Sequence, residues 1–69
     1  MPNIIKSERA RLGVSQMELA RRLGVNVVTL REWEKDIGSC KAVNLLSLSD
    51  IFGVSVDYLL EKTEERTRV

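Results

Sequence analysis

The amino-acid sequence predicts an all-α fold, a compact bundle of five short helices in one domain. At 69 residues the chain buries only about 60% of the surface that it exposes when unfolded, so it needs an efficient core. Its single cysteine rules out an internal disulfide, and without histidine it has too few soft ligands for a structural zinc site. Aromatic residues make up 4% of the chain and β-branched runs are few, which favours packed helices over a sheet.

End signals mark the first two helices. Helix one is expected over residues 3–12 and ends at Gly13, because glycine adopts the left-handed conformation beyond a helix at little cost. Ser15 fits an N-cap, and Glu18 three residues later completes the pattern of a capping box. Helix two is therefore expected over residues 16–23. Ile5, Arg9 and Leu12 share one stripe of helix one, and the residues expected to be buried on helix two are Leu19, Ala20 and Leu23.

A third helix is expected after a sharp turn. Gly24 is expected to have a positive φ there, and Asn26 is a favourable N-cap for a helix over residues 27–35. Leu30 and Trp33 lie three positions apart, which is the spacing of residues that face a core. Helices two and three thus form a pair joined by a tight turn, the arrangement of a helix-turn-helix motif.

Two more helices are expected after a loop over residues 36–40. Cys40 in this loop is expected to be an inert thiol, because no base or second ligand lies near it in sequence. Helix four is expected over residues 41–52, and a short helix five, capped by Ser55, over residues 56–60. The residues of helix four that are expected to be buried are Leu45, Leu48 and Phe52.

Charge is divided unevenly along the chain, although its total at pH 7 is only +1. Residues 1–41 carry eight basic and five acidic side chains, a net charge of +3, whereas residues 42–69 carry three and five, a net charge of −2. A basic first part suits the binding of a polyanion on one face of the domain. The sequence further predicts one folded domain over residues 1–60 and a flexible tail over residues 61–69 whose charges are solvated.

The third helix has a face that the core does not use. With Leu30 and Trp33 turned inward, a rotation of about 100° per residue leaves five side chains of this helix largely outward. These are Val27, Val28, Arg31, Glu32 and Lys35. Exposed neighbouring valines fit base contact in the major groove of DNA, where apolar groups pack on the thymine methyl. The alternative is partial burial against helix two or against a neighbouring molecule, such as the second copy of a dimer. Arg31 is expected to reach guanine or a phosphate, and Glu32 either accepts from a cytosine amine or is a plain surface charge.

A second set of side chains surrounds this face and is expected to contact DNA phosphates. The backbone amides at the starts of helices two and three give each a partial positive charge. Gln16 and Asn26 add side-chain donors at these two positions, and Lys35 and Lys41 flank the loop after helix three. Contacts of this kind fix the register of a protein on DNA and make its affinity fall with salt concentration.

Three segments of the chain, SQMELARRLGV, TLREWEK and NLLSLSDIFGVSVDYLL, together resemble the Cro/C1-type helix-turn-helix domain of phage repressors and related bacterial regulators. The resemblance extends from about residue 5 to residue 60 and implies a lambda-repressor-like bundle of five helices. It also implies binding to double-stranded operator DNA as a dimer on inverted repeats, with helix three in the major groove. By the same resemblance Gln16 falls at a phosphate contact, the outward residues of helix three fall on the base-reading face, and Arg9 and Glu34 form an ion pair beneath it.

These observations favour a sequence-specific DNA-binding transcription regulator, expected to be a repressor, over an enzyme. No paired-carboxylate site or phosphate-cradling glycine loop indicates catalysis, a cofactor or a small-molecule substrate. A homodimer is expected, since residues near the end of the domain leave more apolar area than so small a domain needs. The expected dimer surface consists of Val54, Val56, Tyr58 and Leu59. The alternative is a protein-interaction module, such as an antitoxin, that docks a protein partner through its apolar surface.

The sequence also predicts where the protein is found. No apolar run approaches the roughly 20 residues that a membrane span needs. The first ten residues lack the long apolar stretch of a secretory signal, and the lone cysteine is typical of a reducing compartment. We therefore expect a cytoplasmic protein that makes no contact with a membrane.

Overall fold

The structure, a computed structural model, describes residues 3–66 and is helical throughout its regular elements. Five α-helices are present in this part of the chain, with one short 3₁₀ turn between the third and the fourth. They are α1 (Ile4–Leu12), α2 (Gln16–Leu23), α3 (Val27–Lys35), α4 (Ala42–Phe52) and α5 (Val56–Leu59), and the 3₁₀ turn covers Ile37–Ser39. The predicted all-α class and all five predicted helices are confirmed, with ends that differ by one residue at most.

The predicted N-caps are present as hydrogen bonds. The Ser15 hydroxyl accepts from the Glu18 amide at 3.1 Å, and the Ser55 hydroxyl accepts from the Tyr58 amide at 3.0 Å. Each bond satisfies one amide that the helix itself leaves without a partner. The Glu18 carboxylate pairs with Arg22 at 3.2 Å.

The core lies where all five helices meet. Its fully buried side chains come from every helix and are Ile5, Leu19, Leu30, Leu48, Val54 and Leu59. The predicted burial of Trp33, Leu45 and Phe52 is confirmed. Leu12 differs from its neighbours on the stripe of α1, since its side chain is exposed at the end of the helix. Each fully buried aliphatic side chain contributes about 1.5–3 kcal/mol, so this cluster holds the helices in place.

Glu8 is a buried acid that sequence reasoning missed. Its side chain lies beside two arginines: Arg11 Nε is 2.9 Å from Glu8 Oε1, and Arg66 Nε is 3.0 Å from Glu8 Oε2. Arg11 also donates to the carbonyl oxygen of Phe52 at 3.3 Å, which ties α1 to the end of α4. The hydrogen bond from Arg66, and then that from Arg11, hold the pKa of Glu8 below its usual value against the opposing effect of burial.

The segment 61–66 folds back onto the helices. It turns at Glu61, which adopts a left-handed conformation with φ of 61°, and the Ser55 amide donates to the Arg66 carbonyl oxygen at 2.9 Å. The charge of Arg66, expected to be solvated, is thus paired with Glu8, because the chain reverses after α5 and returns to α1. Residues 67–69 of the predicted tail lie outside the described residues, and the division of the chain at residue 60 stays a prediction.

Among the helices described for residues 3–66, none combines the length and the apolar character needed to cross a membrane.

Candidate nucleic-acid interface

The turn between α2 and α3 sets the direction in which α3 crosses α2. Gly24 has a φ of 69°, and its amide donates to the Arg21 carbonyl oxygen at 3.1 Å. The Val25 amide then returns to the Ala20 carbonyl oxygen at 3.0 Å. A side chain at this φ is strained, which explains the predicted glycine. Because Ala20 and Leu30 belong to the same core cluster, α3 is fixed against α2 with its opposite side outward.

Asn26 caps the first turn of α3. Its side-chain oxygen accepts from the Val28 amide at 2.8 Å, so the predicted N-cap is confirmed. The side chain is exposed, and with its oxygen engaged in the cap, its amide group is the donor that remains for a phosphate. The phosphate contact assigned to Asn26 stays a prediction, now with the donating atom specified.

Four side chains form the outer face of α3. They are Val28, Arg31, Glu32 and Lys35, and all four are exposed. Val28 keeps 57% of its accessible surface, so its methyl groups are available for contact with another molecule. Val27 differs, because its side chain is half-buried and packs against the core cluster. The base contacts assigned to these residues stay predictions, and Val27 has the smaller surface to offer.

Thr29 is an exposed residue of α3 that sequence reasoning left out of the base-reading set. It lies three positions before Glu32, and residues at this spacing share one side of a helix. The three-residue spacing from Glu32 is a signal in the sequence that points to Thr29. Counted from the buried residues Leu30 and Trp33, however, the helical rotation places Thr29 at the edge of the outward face. Its hydroxyl and methyl groups therefore widen the outer face on the Glu32 side.

A chain of polar contacts runs beneath the outer face and ends on it. Arg9 Nε is 3.0 Å from Glu34 Oε2, which confirms the predicted ion pair. Glu34 Oε1 accepts from Gln16 Nε2 at 3.1 Å, and Gln16 Oε1 accepts from Arg31 Nε at 3.2 Å. Gln16, assigned to phosphate contact from the sequence, is therefore also the link between a base-reading candidate and the partly buried residue Glu34. Residue type and spacing gave no signal for this link.

Lys35 and Lys41 flank the turn after α3, and both are exposed. The acid between them, Asp36, caps the 3₁₀ turn: its carboxylate accepts from the Gly38 amide at 3.0 Å. Lys41 is the N-cap residue of α4, where no side chain bonds to the helix amides. The start of α4 thus combines a lysine with the partial positive charge of a helix end. This placement agrees with phosphate contact from both lysines, which stays a prediction.

Cys40 packs under this turn instead of lying on the surface. Its side chain belongs to the core cluster, and its sulfur is 3.7 Å from the Lys41 carbonyl oxygen. Burial raises the pKa of the thiol to about 11. The thiol is therefore protonated at neutral pH, and thiols in that state are poor nucleophiles and poor metal ligands.

Comparison with known proteins assigns the fold. A family model described as helix-turn-helix matches residues 5–59, which is most of the chain. The chain belongs to the Cro/C1-type helix-turn-helix family. The family resemblance stated from the sequence is thereby confirmed. No solved structure gave a significant match.

Two curated relatives illustrate the similarity. The HTH-type transcriptional regulator ImmR of Bacillus subtilis (strain 168) is 37% identical over 60 residues, which cover 87% of this chain and 47% of the relative. Repressor protein C2 of Salmonella phage P22 is 34% identical over 65 residues, which cover 94% of this chain and 30% of the relative. The chain therefore spans less than half the length of either relative.

The helix-turn-helix domain uses part of its expected dimer surface for its own core. Val54 and Leu59 are fully buried, because the turn after α4 and the one-turn helix α5 pack directly against the core cluster. The sequence-based assignment of these two residues to a dimer surface is corrected: in this fold they have no exposed area to give to a partner. Val56 and Tyr58 are half-buried at the rim and stay candidates.

Exposed apolar surface is found on α4 instead. Val43 and Leu46 keep 66% and 60% of their accessible surface, and they lie three positions apart on one side of the helix. Both side chains lie outside the set that sequence reasoning assigned to contact with a partner. The periodic pattern of α4 gave no warning, since apolar residues occur on all its sides.

Proposed function

We propose that this chain is the DNA-binding domain of a transcription regulator, acting as a repressor on an inverted-repeat operator. The observation that carries the proposal is the outer face of α3. Its side chains are exposed, carry an apolar start and a charged remainder, and stand on a helix whose inner side packs on the core. A helix presented in this way fits the major groove of B-DNA.

The relatives support the regulatory part of the proposal. One is named a transcriptional regulator and the other a repressor protein. Because the chain spans less than half of each, repression by the whole protein, its homodimerisation and its cytoplasmic location belong to the proposal. Two copies are expected on the operator, with their α3 helices about 34 Å apart in successive major grooves on one side of the duplex.

The test is selection of bound sites from a random pool of DNA duplexes. We expect inverted half-sites about one helical turn apart, A·T-rich and with thymine at the step nearest Val28. Affinity for the selected site should fall steeply with salt concentration, and Arg31→Ala should weaken binding to it. Recovery of no common sequence, together with binding that does not depend on salt, would contradict sequence-specific DNA recognition.

A second candidate function is a protein-interaction module, and the exposed pair Val43 and Leu46 on α4 favours it. The same selection separates the two functions. A chain that ignores both random and genomic duplexes at low salt does not act through α3, and binding to a protein partner through apolar surface then becomes the better account.

A further inference from the structure

Gln16 connects the outer face of α3 to the partly buried ion pair of Arg9 and Glu34, and its two contacts have opposite polarity. We propose that Gln16 is a positioning residue that aims the guanidinium of Arg31 so that this arginine selects guanine. The inference rests on the proposed DNA-binding function and specifies how the same site distinguishes one base from another.

The first step is the anchor beneath α3. Arg9 and Glu34 are joined at 3.0 Å, and their side chains are only 16% and 6% exposed. Arg9 Nη1 also donates to the Val14 carbonyl oxygen at 3.0 Å, so the arginine is held at two points. The Glu34 carboxylate is therefore fixed relative to α1 and to the start of α2, and it offers its second oxygen to one defined position.

The second step is the orientation of the Gln16 amide. Its Nε2 donates to Glu34 Oε1 at 3.1 Å, and its Oε1 accepts from Arg31 Nε at 3.2 Å. A carboxylate only accepts and a guanidinium only donates, so just one of the two amide orientations satisfies both neighbours. Glu34 thereby determines that the oxygen of Gln16 faces Arg31.

The third step concerns the atoms of Arg31 that are left for DNA. The contact with Gln16 uses Nε, so the two terminal nitrogens remain as a pair of parallel donors. Guanine presents two acceptors, O6 and N7, on its major-groove edge, whereas adenine presents one acceptor and one donor. An arginine held through Nε therefore matches guanine and loses less rotamer freedom when it binds.

The inference differs from a plain phosphate contact by Gln16 in one measurable way. A positioning residue acts through Arg31, so its removal has little further effect once Arg31 is gone. A phosphate contact acts independently of Arg31, so its effect is the same in either background. Gln16→Lys separates the roles a second time, because lysine keeps a donor for phosphate but supplies no acceptor for Arg31.

The experiment is a double-mutant cycle on a selected duplex that contains a guanine in each half-site. Gln16→Ala should weaken binding about tenfold in the wild-type chain and less than about twofold in the Arg31→Ala background. Replacing the guanine by adenine should weaken the wild-type chain more than Gln16→Ala. Gln16→Lys should bind random duplexes at least as well as the wild-type chain while it loses the preference for guanine.

Three results decide the matter, and thermal unfolding of each variant confirms that it is folded. Effects of Gln16→Ala and Arg31→Ala that multiply, or a Gln16→Lys variant that keeps the guanine preference, overturn the positioning role and leave the DNA-binding function intact. A wild-type chain that binds neither the selected nor a random duplex at low salt overturns the DNA-binding function itself, and the positioning role with it.

Discussion

The guanidinium of Arg66 binds the carboxylate of Glu8 across 58 positions of the chain. Its Nε is 3.0 Å from Glu8 Oε2, and its Nη2 donates to Glu8 Oε1, which makes the pair bidentate. The side chain of Glu8 is 5% exposed and that of Arg66 is 39% exposed, so a surface arginine covers a buried acid. The pair closes the segment 61–66 onto α1.

Removal of the Glu8 carboxylate should destabilise the domain. In Glu8→Ala, Arg11 and Arg66 lose a shared charged acceptor, and we expect a loss of about 2 kcal/mol in the free energy of unfolding. For a domain of this size that is a fall of about 10 °C in Tm, measured by circular dichroism. Glu65→Ala is the matched control, since this exposed acid in the same segment should change Tm by about 2 °C or less. Equal effects of the two variants would show that the Glu8 pair adds nothing beyond surface charge.

The stability that Glu8 contributes should depend on pH. The pKa of Glu8 is lowered in the folded state, first by the hydrogen bond from Arg66, so its ionised form favours folding. This contribution is complete above the unfolded value near 4.5 and is lost as the pH falls through the folded value. The Tm difference between the wild-type chain and Glu8→Gln should therefore be constant from about pH 8 to pH 6 and shrink below about pH 4.5. A difference that stays constant down to about pH 2 would exclude this origin.

Cys40 should react slowly with thiol reagents in the folded protein. Burial raises its pKa to about 11, so the thiolate fraction at pH 8 is about a hundredfold lower than for a thiol at the ordinary value of 9.0. Alkylation by iodoacetamide, followed by mass spectrometry, should be at least about tenfold slower in the native chain than in the same chain in guanidinium chloride. Equal rates in the two states would mean that Cys40 is reached without unfolding.

Val28 should contribute to DNA binding through the thymine methyl. Val28→Ala removes two methyl groups from the outer face, and we expect a loss of about 1 kcal/mol, or about fivefold in Kd, on the selected site. Leu12→Ala at the end of α1 is the control, because this apolar side chain is also exposed and lies outside both α3 and the exposed pair on α4. Replacing thymine by deoxyuridine at the facing step should weaken the wild-type chain and leave Val28→Ala unchanged. A wild-type chain indifferent to that methyl group would refute the contact.

Lys35 and Lys41 should each contribute one phosphate contact. Substitution of either by alanine should weaken binding to all duplexes similarly, and it should reduce the slope of log Kd against log salt concentration by about 1. Lys62→Ala is the control, since this lysine is exposed in the segment after α5 and should leave the slope unchanged. If Lys62→Ala changes the slope as much as the other two variants, the effect reports total charge and not a contact.

The parts of the fold that the sequence predicted depend on residues close together in the chain. Ser15, Asn26 and Ser55 cap helices through bonds to amides two or three positions away. Gly24 turns the chain because of its own backbone freedom. The inward positions of α3 follow from the helical repeat, so Leu30 and Trp33 were placed correctly. Short-range bonds and periodicity can be read without knowing how the helices pack.

The parts that were missed join residues distant in the chain. Glu8 looked like any acid on a helix, and only the return of the chain brings Arg66 to it. Val54 and Leu59 looked like spare apolar surface, but α5 closes over the core and buries them. In the candidate interface, the residue types were readable, whereas the bond from Gln16 to Arg31 spans 15 positions and depends on the angle between α2 and α3.

The sequence by itself determined the five helices, the caps at Ser15, Asn26 and Ser55, and most of the outward side chains of α3, since these follow from local hydrogen bonding and from a fixed rotation per residue. The tertiary structure alone decided which apolar residues are buried at the end of the domain, which arginine covers Glu8 and which side chain holds Arg31. The physical reason is that burial and ion pairing depend on distances between helices, and packing sets these distances.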